Sequence, residues 1–409
     1  MFRKLAAPLS VEERRLAVFD KCQAVMDRVH SAKSAGLYSY FRVIESPQEP
    51  EVTIEGRKLV MLGSNNYLGL TNHPKVKEAA QQAIQRYGTG CAGSRFLNGT
   101  LSIHKELEEK LADFMNKPSA VTFSTGFQVN LGTIACLVER GEVVYLDKQD
   151  HACIIDGARL SFGELRKFMH NQPDHLRRLM ADGTERGRMI VVDGVFSMEG
   201  DIIRLPEIVE IAKEFGAAIM VDDAHGIGVL GKNGRGTAEH FGLEDDVDLI
   251  MGTFSKSLAS IGGFVCGSAD VIEFVKHCAR SLIFSAAPPP ASVAAASAAV
   301  DIIRNEPQRR EQLWRNTRFM MEGVKSLGLD SGHSQTPVIP IVVGDDDLAF
   351  AMAMRLHELG VFVNPVISPA TPRGRALIRT SCMATHTEKH LSHALDAIES
   401  ASREFGIIR

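Results

Sequence analysis

The stretch "GTFSKSLASIGG", running from Gly252 to Gly263, sets Lys256 among small residues with no acid beside it. An amine so placed is either a turn-tip side chain in water or a nucleophile held for chemistry. Upstream, the apolar run "IMVDDAHG" ends in Asp222, Asp223 and His225. Acids at the carboxyl end of a parallel strand lie where open α/β sheets bind ligands. An isolated Asp there also reads as a cap on the following element. A metal reading is open too, although no second ligand cluster stands at matching spacing. Taken together, Asp222 and Lys256 are less ambiguous. A carboxylate at one strand end and an amine beyond the next strand suit an enzyme that uses pyridoxal 5'-phosphate (PLP). Its aldehyde bonds a lysine, and its pyridine nitrogen must stay protonated against a carboxylate if the ring is to accept electrons.

A competing signal overlaps these residues. "HGIGVLGKNGRG" carries Gly226, Gly228 and Gly231 at the G-x-G-x-x-G spacing of dinucleotide sites, and it nearly spells a Walker loop. Asn233 stands where a Walker loop needs Ser or Thr, and "KNGRG" reads as turn with no helix after it. Both phosphate readings therefore lack their strand–turn–helix frame.

The elements that must position Lys256 and Asp222 are legible as alternation. From about residue 74, apolar runs such as "AVTFS" (120–124), "EVVYL" (142–146), "RMIVVDG" (188–194), "AAIMVDD" (217–223), "VDLIMG" (247–252) and "GGFVCG" (262–267) alternate with amphipathic stretches such as "PEIVEIAKEFG". This is the pattern of a mainly parallel sheet between helix layers, an α/β fold. After about Asn305 the texture changes to a long charged helix, an extended "TPVIPIVVGD", a further helix, two short strand-like runs and a final helix from about Thr387. The expected division is an N-terminal helix and arm over 1–55, a large domain over 56–304 and a smaller α+β domain over 305–409, in keeping with 409 residues and usual domain sizes.

Composition narrows the partners. Forty-six Lys+Arg against fifty Asp+Glu give a net charge of −4 without like-charge blocks, so no nucleic-acid surface is expected. Seven cysteines without a Cys-x-x-Cys pair suit reduced thiols, and the charged N-terminus lacks the apolar core of a signal peptide, so the expected location is cytoplasmic. Residues 281–300 carry no charge over nearly a membrane-spanning length, but Pro288, Pro289 and Pro290 and the Ala-rich filling point to a loop entering a buried helix.

From "LGSNNYLGL" to "ALIRTSCMATHT" the chain resembles the α-oxoamine synthases, a family of fold-type I PLP enzymes, in several blocks and in the family's order. The resemblance implies an aspartate aminotransferase-like fold with PLP bonded to Lys256, Asp222 against the pyridinium nitrogen and His225 against the ring's phenolic oxygen. It implies that His151 of "LDKQDHACIIDGA" stacks on the ring and that Ser197 of "VFSMEGD" lies near it. Backbone amides at Gly126 and Phe127 of "STGFQVN" would hold the phosphate, with hydroxyls from Thr253 and Ser255. Asn65 of "SNNYLG" and Arg379 of "ALIRTS" match the groups that bind the substrate carboxylate. Ser285 of "IFSAAPPP" matches a residue reaching the neighbouring subunit's phosphate, which implies a homodimer with shared sites.

The implied reaction is a decarboxylative condensation of an amino acid with an acyl thioester. "TFSKS" in place of the family's frequent glycine before the lysine, "GGF" after it and "SPATP" resemble the members that join L-serine to palmitoyl-CoA. That is the expected activity, the first step of sphingolipid synthesis. Acyl carrier protein is the other expected thioester carrier. Tyr38, Tyr40 and Phe41 of the arm either line an acyl channel or simply pack. So apolar a product suggests peripheral membrane contact, yet no basic amphipathic anchor stands out. The alternatives are another α-oxoamine synthase acting on a short-chain or pimeloyl thioester, a PLP aminotransferase, and a non-catalytic subunit, which would be expected to lack the lysine.

Overall fold

The apolar runs become a sheet because their residues are buried on both faces. In the strand Gly187–Asp193, Met189 and Val191 pack into one core cluster while Ile190 and Val192 pack into the other. Alternate side chains of a strand point to opposite faces, so a run apolar at every position must be covered twice. Each fully buried Val, Ile or Met contributes roughly 1.5–3 kcal/mol relative to exposure. The structure, a computed structural model, describes residues 11–408, with side chains from residue 19 onward. The first ten residues of the arm, and with them part of the signal-peptide reading, lie outside the described residues.

The main sheet has seven strands in the order Ser119–Phe123, Gly263–Gly267, Leu249–Thr253, Ala218–Asp222, Gly187–Asp193, Glu142–Asp147 and Glu164–Phe168. Gly263–Gly267 runs antiparallel to both of its neighbours, and the remaining pairings are parallel. The carboxyl ends of the parallel strands therefore share one edge. Asp193 pairs with Asp222, and Asp222 pairs with Met251 two residues before Thr253. The sequence reading misses Glu164–Phe168. It is an edge strand whose only fully buried residue is Phe168, and "ELRKF" carries three charges, so no apolar run marks it.

A second sheet, ordered Val338–Gly344, Ala376–Ser381, Asn364–Val366, is antiparallel and holds Arg379 in its central strand, opposite Pro340 and Asn364. A third joins Glu51–Ile54, Arg57–Met61 and Val361–Phe362, with Val361 paired in parallel to Val60. Sequence-distant segments are thus stitched together at the point where Leu62 accepts a hydrogen bond from the Ser381 amide (2.7 Å). That stitch carries the loop with Asn65 and Tyr67 against the strand that bears Arg379.

The uncharged stretch 281–300 enters the helix Pro290–Asn305 with proline at its first turn and most of its Ala, Val and Ile residues buried. No helix among the described residues is long and apolar enough to cross a membrane. All seven cysteines are free thiols. In the arm, Tyr40 packs edge-on against Tyr38 and Phe350, whereas Phe41 is 91% exposed.

Candidate active site

Lys256 sits in the loop that leaves Leu249–Thr253, where Phe254 is fully buried and the Ser260 amide closes back on the Phe254 carbonyl (2.8 Å). Its amine has no hydrogen bond or ion pair among the described residues. It faces a cavity of about 290 Å3 whose wall includes Gly126, Phe127, His151, Asp222, His225 and Thr253. Burial pushes the amine down to about 8, Asp222 and Asp193 pull it back up, and Arg379 adds to the downward push. An ammonium with no fixed counter-ion sheds its proton readily when desolvated.

Asp222 ends its strand 3% exposed, with both oxygens occupied: Oδ2 accepts from Asn130 Nδ2 (2.5 Å) and Oδ1 from the Ala224 amide (2.9 Å). The Ala224 bond is the local turn contact that the capping reading foresees. The Asn130 bond crosses to the helix Gly126–Leu137 and holds the carboxylate toward the cavity. On the next strand, Asp193 accepts the His151 amide (2.7 Å), and burial followed by the neighbouring Asp222 pushes its carboxyl well up. His151 is the N-cap of Ala152–Leu160; its Nδ1 accepts from the Cys153 amide (3.2 Å) and lies 2.8 Å from Cys153 Sγ. It is thus a helix N-terminal histidine and a cavity wall at once. Burial, with Lys256 adding to it, holds its imidazole below the usual range.

The helix Gly126–Leu137 opens on this cavity. Thr125 caps it by accepting from the Gln128 amide (3.2 Å), and the amides of a helix's first turn have no partner within the helix. Gly126 is required by a close approach, since a Cβ there would lie 2.6 Å from Thr253 Oγ1 and 2.9 Å from Thr253 Cβ. Thr253 and Ser255 share a hydroxyl contact of 2.9 Å beside it. Free N–H groups and two hydroxyls on the wall of one cavity make a seat for a phosphate-sized anion.

A second group stands behind the cavity. Arg379, 6% exposed, donates from Nε to the Ser197 carbonyl (2.6 Å), from Nη2 to Asn65 Oδ1 (2.9 Å) and from Nη1 to Ser381 Oγ (3.3 Å). It pairs with no carboxylate among the described residues. A buried cation without an anion is costly, so the guanidinium is poised for one that arrives with a ligand. Tyr67 links this group to the cavity: its hydroxyl lies 2.6 Å from His225 Nδ1 and 3.4 Å from Asn65 Oδ1.

Nine of the sequence-predicted residues therefore line one cavity: Gly126, Phe127, His151, Ser197, Asp222, His225, Thr253, Ser255 and Lys256. Asn65 and Arg379 join it through Ser197 and Tyr67. Ser285 lies outside the wall, accepting from Gln128 Nε2 (3.0 Å). Sequence reasoning did not single out Asn130, Cys153, Asp193 or Tyr67, although each stands inside or beside a quoted motif.

The competing glycine motif has another use. A five-residue helix, Thr237–Phe241, does follow "KNGRG", contrary to expectation, but its first amide and the Thr237 hydroxyl are already taken by Asp223 (2.6 and 2.7 Å). Gly228 and Gly231 supply the positive φ (79° and 82°) of the loop that wraps this carboxylate. A helix start filled by the chain's own anion is no phosphate site.

The family model for class I and II aminotransferases matches residues 57–398. The chain belongs to this family. It is 54% identical over 369 residues to a serine palmitoyltransferase of Sphingobacterium spiritivorum, covering 90% of this chain and 92% of that one. It is 44% identical over 386 residues to an 8-amino-7-oxononanoate synthase of Symbiobacterium thermophilum, covering 94% and 98%. A solved serine palmitoyltransferase variant from S. paucimobilis with a bound PLP–myriocin aldimine superposes with a TM-score of 0.92 at 36% identity, covering 96% of this chain and 99% of that one. The fold is that of the fold-type I PLP transferases, and within it the chain falls in the α-oxoamine synthase group. It is an enzyme, a PLP-dependent acyltransferase. The residues present fit PLP: an enclosed amine of lowered proton affinity, a carboxylate held by Asn130, and a helix start whose Gly126 lets Thr253 and its hydroxyl come close.

Proposed function

We propose that the chain condenses L-serine with palmitoyl-CoA, giving 3-oxosphinganine, CoA and CO2. The observation that carries the chemistry is the joint enclosure of Lys256 and Asp222 in a cavity backed by the unpaired Arg379. The choice of serine and a long chain is supported by the relatives' names and by the serines flanking Lys256. Residues 56–304 would form the PLP-binding domain and 305–409 the smaller domain that contributes Arg379. PLP supplies an aldehyde that bonds an amine and a ring that takes up the electron pair left at the substrate's Cα.

The chain's own groups do the rest. Lys256 Nζ would hold the cofactor by its aldehyde, and as an amine of lowered proton affinity it would serve as the base for the Cα proton. Asp222 would keep the pyridine nitrogen protonated, and Asn130 holds Asp222. His225 would donate to the phenolic oxygen, while His151 would cover the ring and, with Ser197, border the reacting atoms. Gly126 and Phe127 amides with the Thr253 and Ser255 hydroxyls take the phosphate. Arg379 and Asn65 orient the carboxylate that leaves as CO2. A homodimer, with Ser285 reaching the neighbouring site, is supported by large apolar residues left exposed, Phe127 and Ile261 on the cavity wall and Phe284 (75%) beside Ser285.

The 44% identity to an 8-amino-7-oxononanoate synthase favours one second reading, a shorter or pimeloyl thioester with alanine. The deciding experiment offers serine, alanine and glycine with acetyl-, pimeloyl- and palmitoyl-CoA and follows CoA release. Release with serine and long chains alone is expected; equal turnover of glycine with acetyl-CoA, or of alanine with pimeloyl-CoA, overturns the substrate choice. Lys256→Ala should lose both the lysine-bound cofactor absorbance and turnover, and product formed by that variant would overturn the site.

A further inference from the structure

Tyr67 is 1% exposed, and the functional reading above gives it no task. Its hydroxyl makes a 2.6 Å bond to His225 Nδ1 and a 3.4 Å contact to Asn65 Oδ1. A phenol has one proton, and these lengths decide where it goes, since 2.6 Å is a full O–H bond and 3.4 Å is near the limit of one. Asn65 Oδ1 is in any case engaged by Arg379 Nη2 at 2.9 Å. Burial raises the Tyr67 hydroxyl's proton affinity although Arg379 opposes this, so the group remains a donor. His225 then accepts at Nδ1, and its single proton lies on Nε2, which has no partner among the described residues, on a ring that lines the cavity. The groups whose charge faces His225 are Lys256, Arg379 and His151; with burial the foremost cause, they hold its imidazole well below the usual range, and none supplies a proton to Nδ1.

We propose that Tyr67 is a positioning residue that locks His225 in the Nε2–H tautomer, and that its contact with Asn65 ties this tautomer to the carboxylate-binding pair Asn65 and Arg379. The opposite tautomer would aim a lone pair at the cofactor's phenolic oxygen and leave the Tyr67 proton to a 3.4 Å contact. The role of Nε2 toward PLP rests on the proposed function; the tautomer itself does not.

The test uses the full chain, with and without PLP, and the Tyr67→Phe variant, which keeps the ring that fills the core. Histidine nitrogen NMR of the wild type should show His225 Nδ1 as the unprotonated and Nε2 as the protonated nitrogen in both forms, and Tyr67→Phe should mix the two. A protonated Nδ1 in the wild type overturns the proposal whether or not the variant folds. In the loaded variant, loss of a donor to the phenolic oxygen should raise the midpoint of the pH-dependent change in cofactor absorbance by up to about one unit. The fall in turnover should appear in kcat, and its size should depend less on Arg379 than in the wild type. An unmoved midpoint together with an unmixed tautomer overturns the proposal. A Lys256→Ala chain that still turns over would instead overturn the proposed function and leave the nitrogen assignments untouched.

Discussion

The lowered proton affinity of Lys256 is measurable in the apoprotein. With a midpoint near 8 against the ordinary 10.5, about 9% of the amine is free at pH 7, where an unperturbed lysine has about 0.03%. The excess is about 300-fold. The perturbation is pH itself, and the assay is the stopped-flow rate at which PLP-free protein captures PLP. Dividing by the rate with Nα-acetyl-lysine amide at the same pH cancels the cofactor's own ionisations. The ratio should stay level from pH 6 to about 8 and then fall about tenfold per unit toward 10. Stability moves with it: between pH 8 and 10.5 the folded apoprotein binds fewer protons at Lys256 than the unfolded chain, so this group's penalty is complete below 8 and is relieved as pH rises to 10.5. The relief is about 3 kcal/mol. A ratio level all the way to pH 10 would mean that the cavity does not depress the amine, and the electrostatic argument for Lys256 would fail.

Arg379→Lys keeps the charge and loses the fork that meets Ser197, Ser381 and Asn65; the amino acid's KM should rise about 10–100-fold with cofactor binding intact, and an unchanged KM would remove Arg379 from the carboxylate site. Gly126→Ala drives a methyl into Thr253; PLP should bind at least about tenfold more weakly, with about 1–3 kcal/mol lost from folding, as read by equilibrium dialysis and denaturant titration. His170 lies 3.0 Å from Asp147 and 3.1 Å from Asp201. Burial opposes its charge, but these two hydrogen bonds raise it to about 10. Its stabilising contribution is therefore fully present below pH 6.5 and is lost as pH rises through 10. His170→Gln should cost about 3 kcal/mol more at pH 6 than at pH 9; equal losses at both would contradict a protonated His170.

What the sequence makes legible here is whatever a strand end dictates. Asp222 and Lys256 can be paired from the chain alone because each follows an apolar run, and neighbouring parallel runs deliver their ends to one edge. Arg379 and Asn65 are different. Their contact depends on Leu62 meeting Ser381, a backbone hydrogen bond across some three hundred residues that leaves no local periodicity. Their link to the site rests on motif resemblance, and the hydrogen bond supplies the physical cause. Asn130 and Tyr67 were hidden for another reason: a buried side chain that holds a functional group looks, in sequence, like any polar residue on a helix or in a loop. The glycines at 228 and 231 misdirect because positive φ is wanted equally by a phosphate loop and by a loop folded round an internal carboxylate, and Gly226 because its Cβ would run into Asp223.

The charges around Lys256 also bear on how one amine could first take a proton and then return it. Among the groups acting on it, Arg379 pushes its proton affinity down while Asp222 and Asp193 raise it. On the proposed reading, the substrate carboxylate docks on Arg379 and cancels part of that push. The amine becomes a stronger base when a Cα proton is available to it. When the carboxylate departs as CO2, the guanidinium is again without an anion, and Lys256 is driven to give its proton up. Because such coupling is reciprocal, an amino acid carboxylate should bind more tightly when Lys256 is protonated. In the apoprotein, the dissociation constant of a simple carboxylate such as acetate should therefore rise across pH 8 in the wild type. The same titration on Arg379→Lys should be flatter, and a carboxylate affinity indifferent to Lys256's charge would separate the two groups.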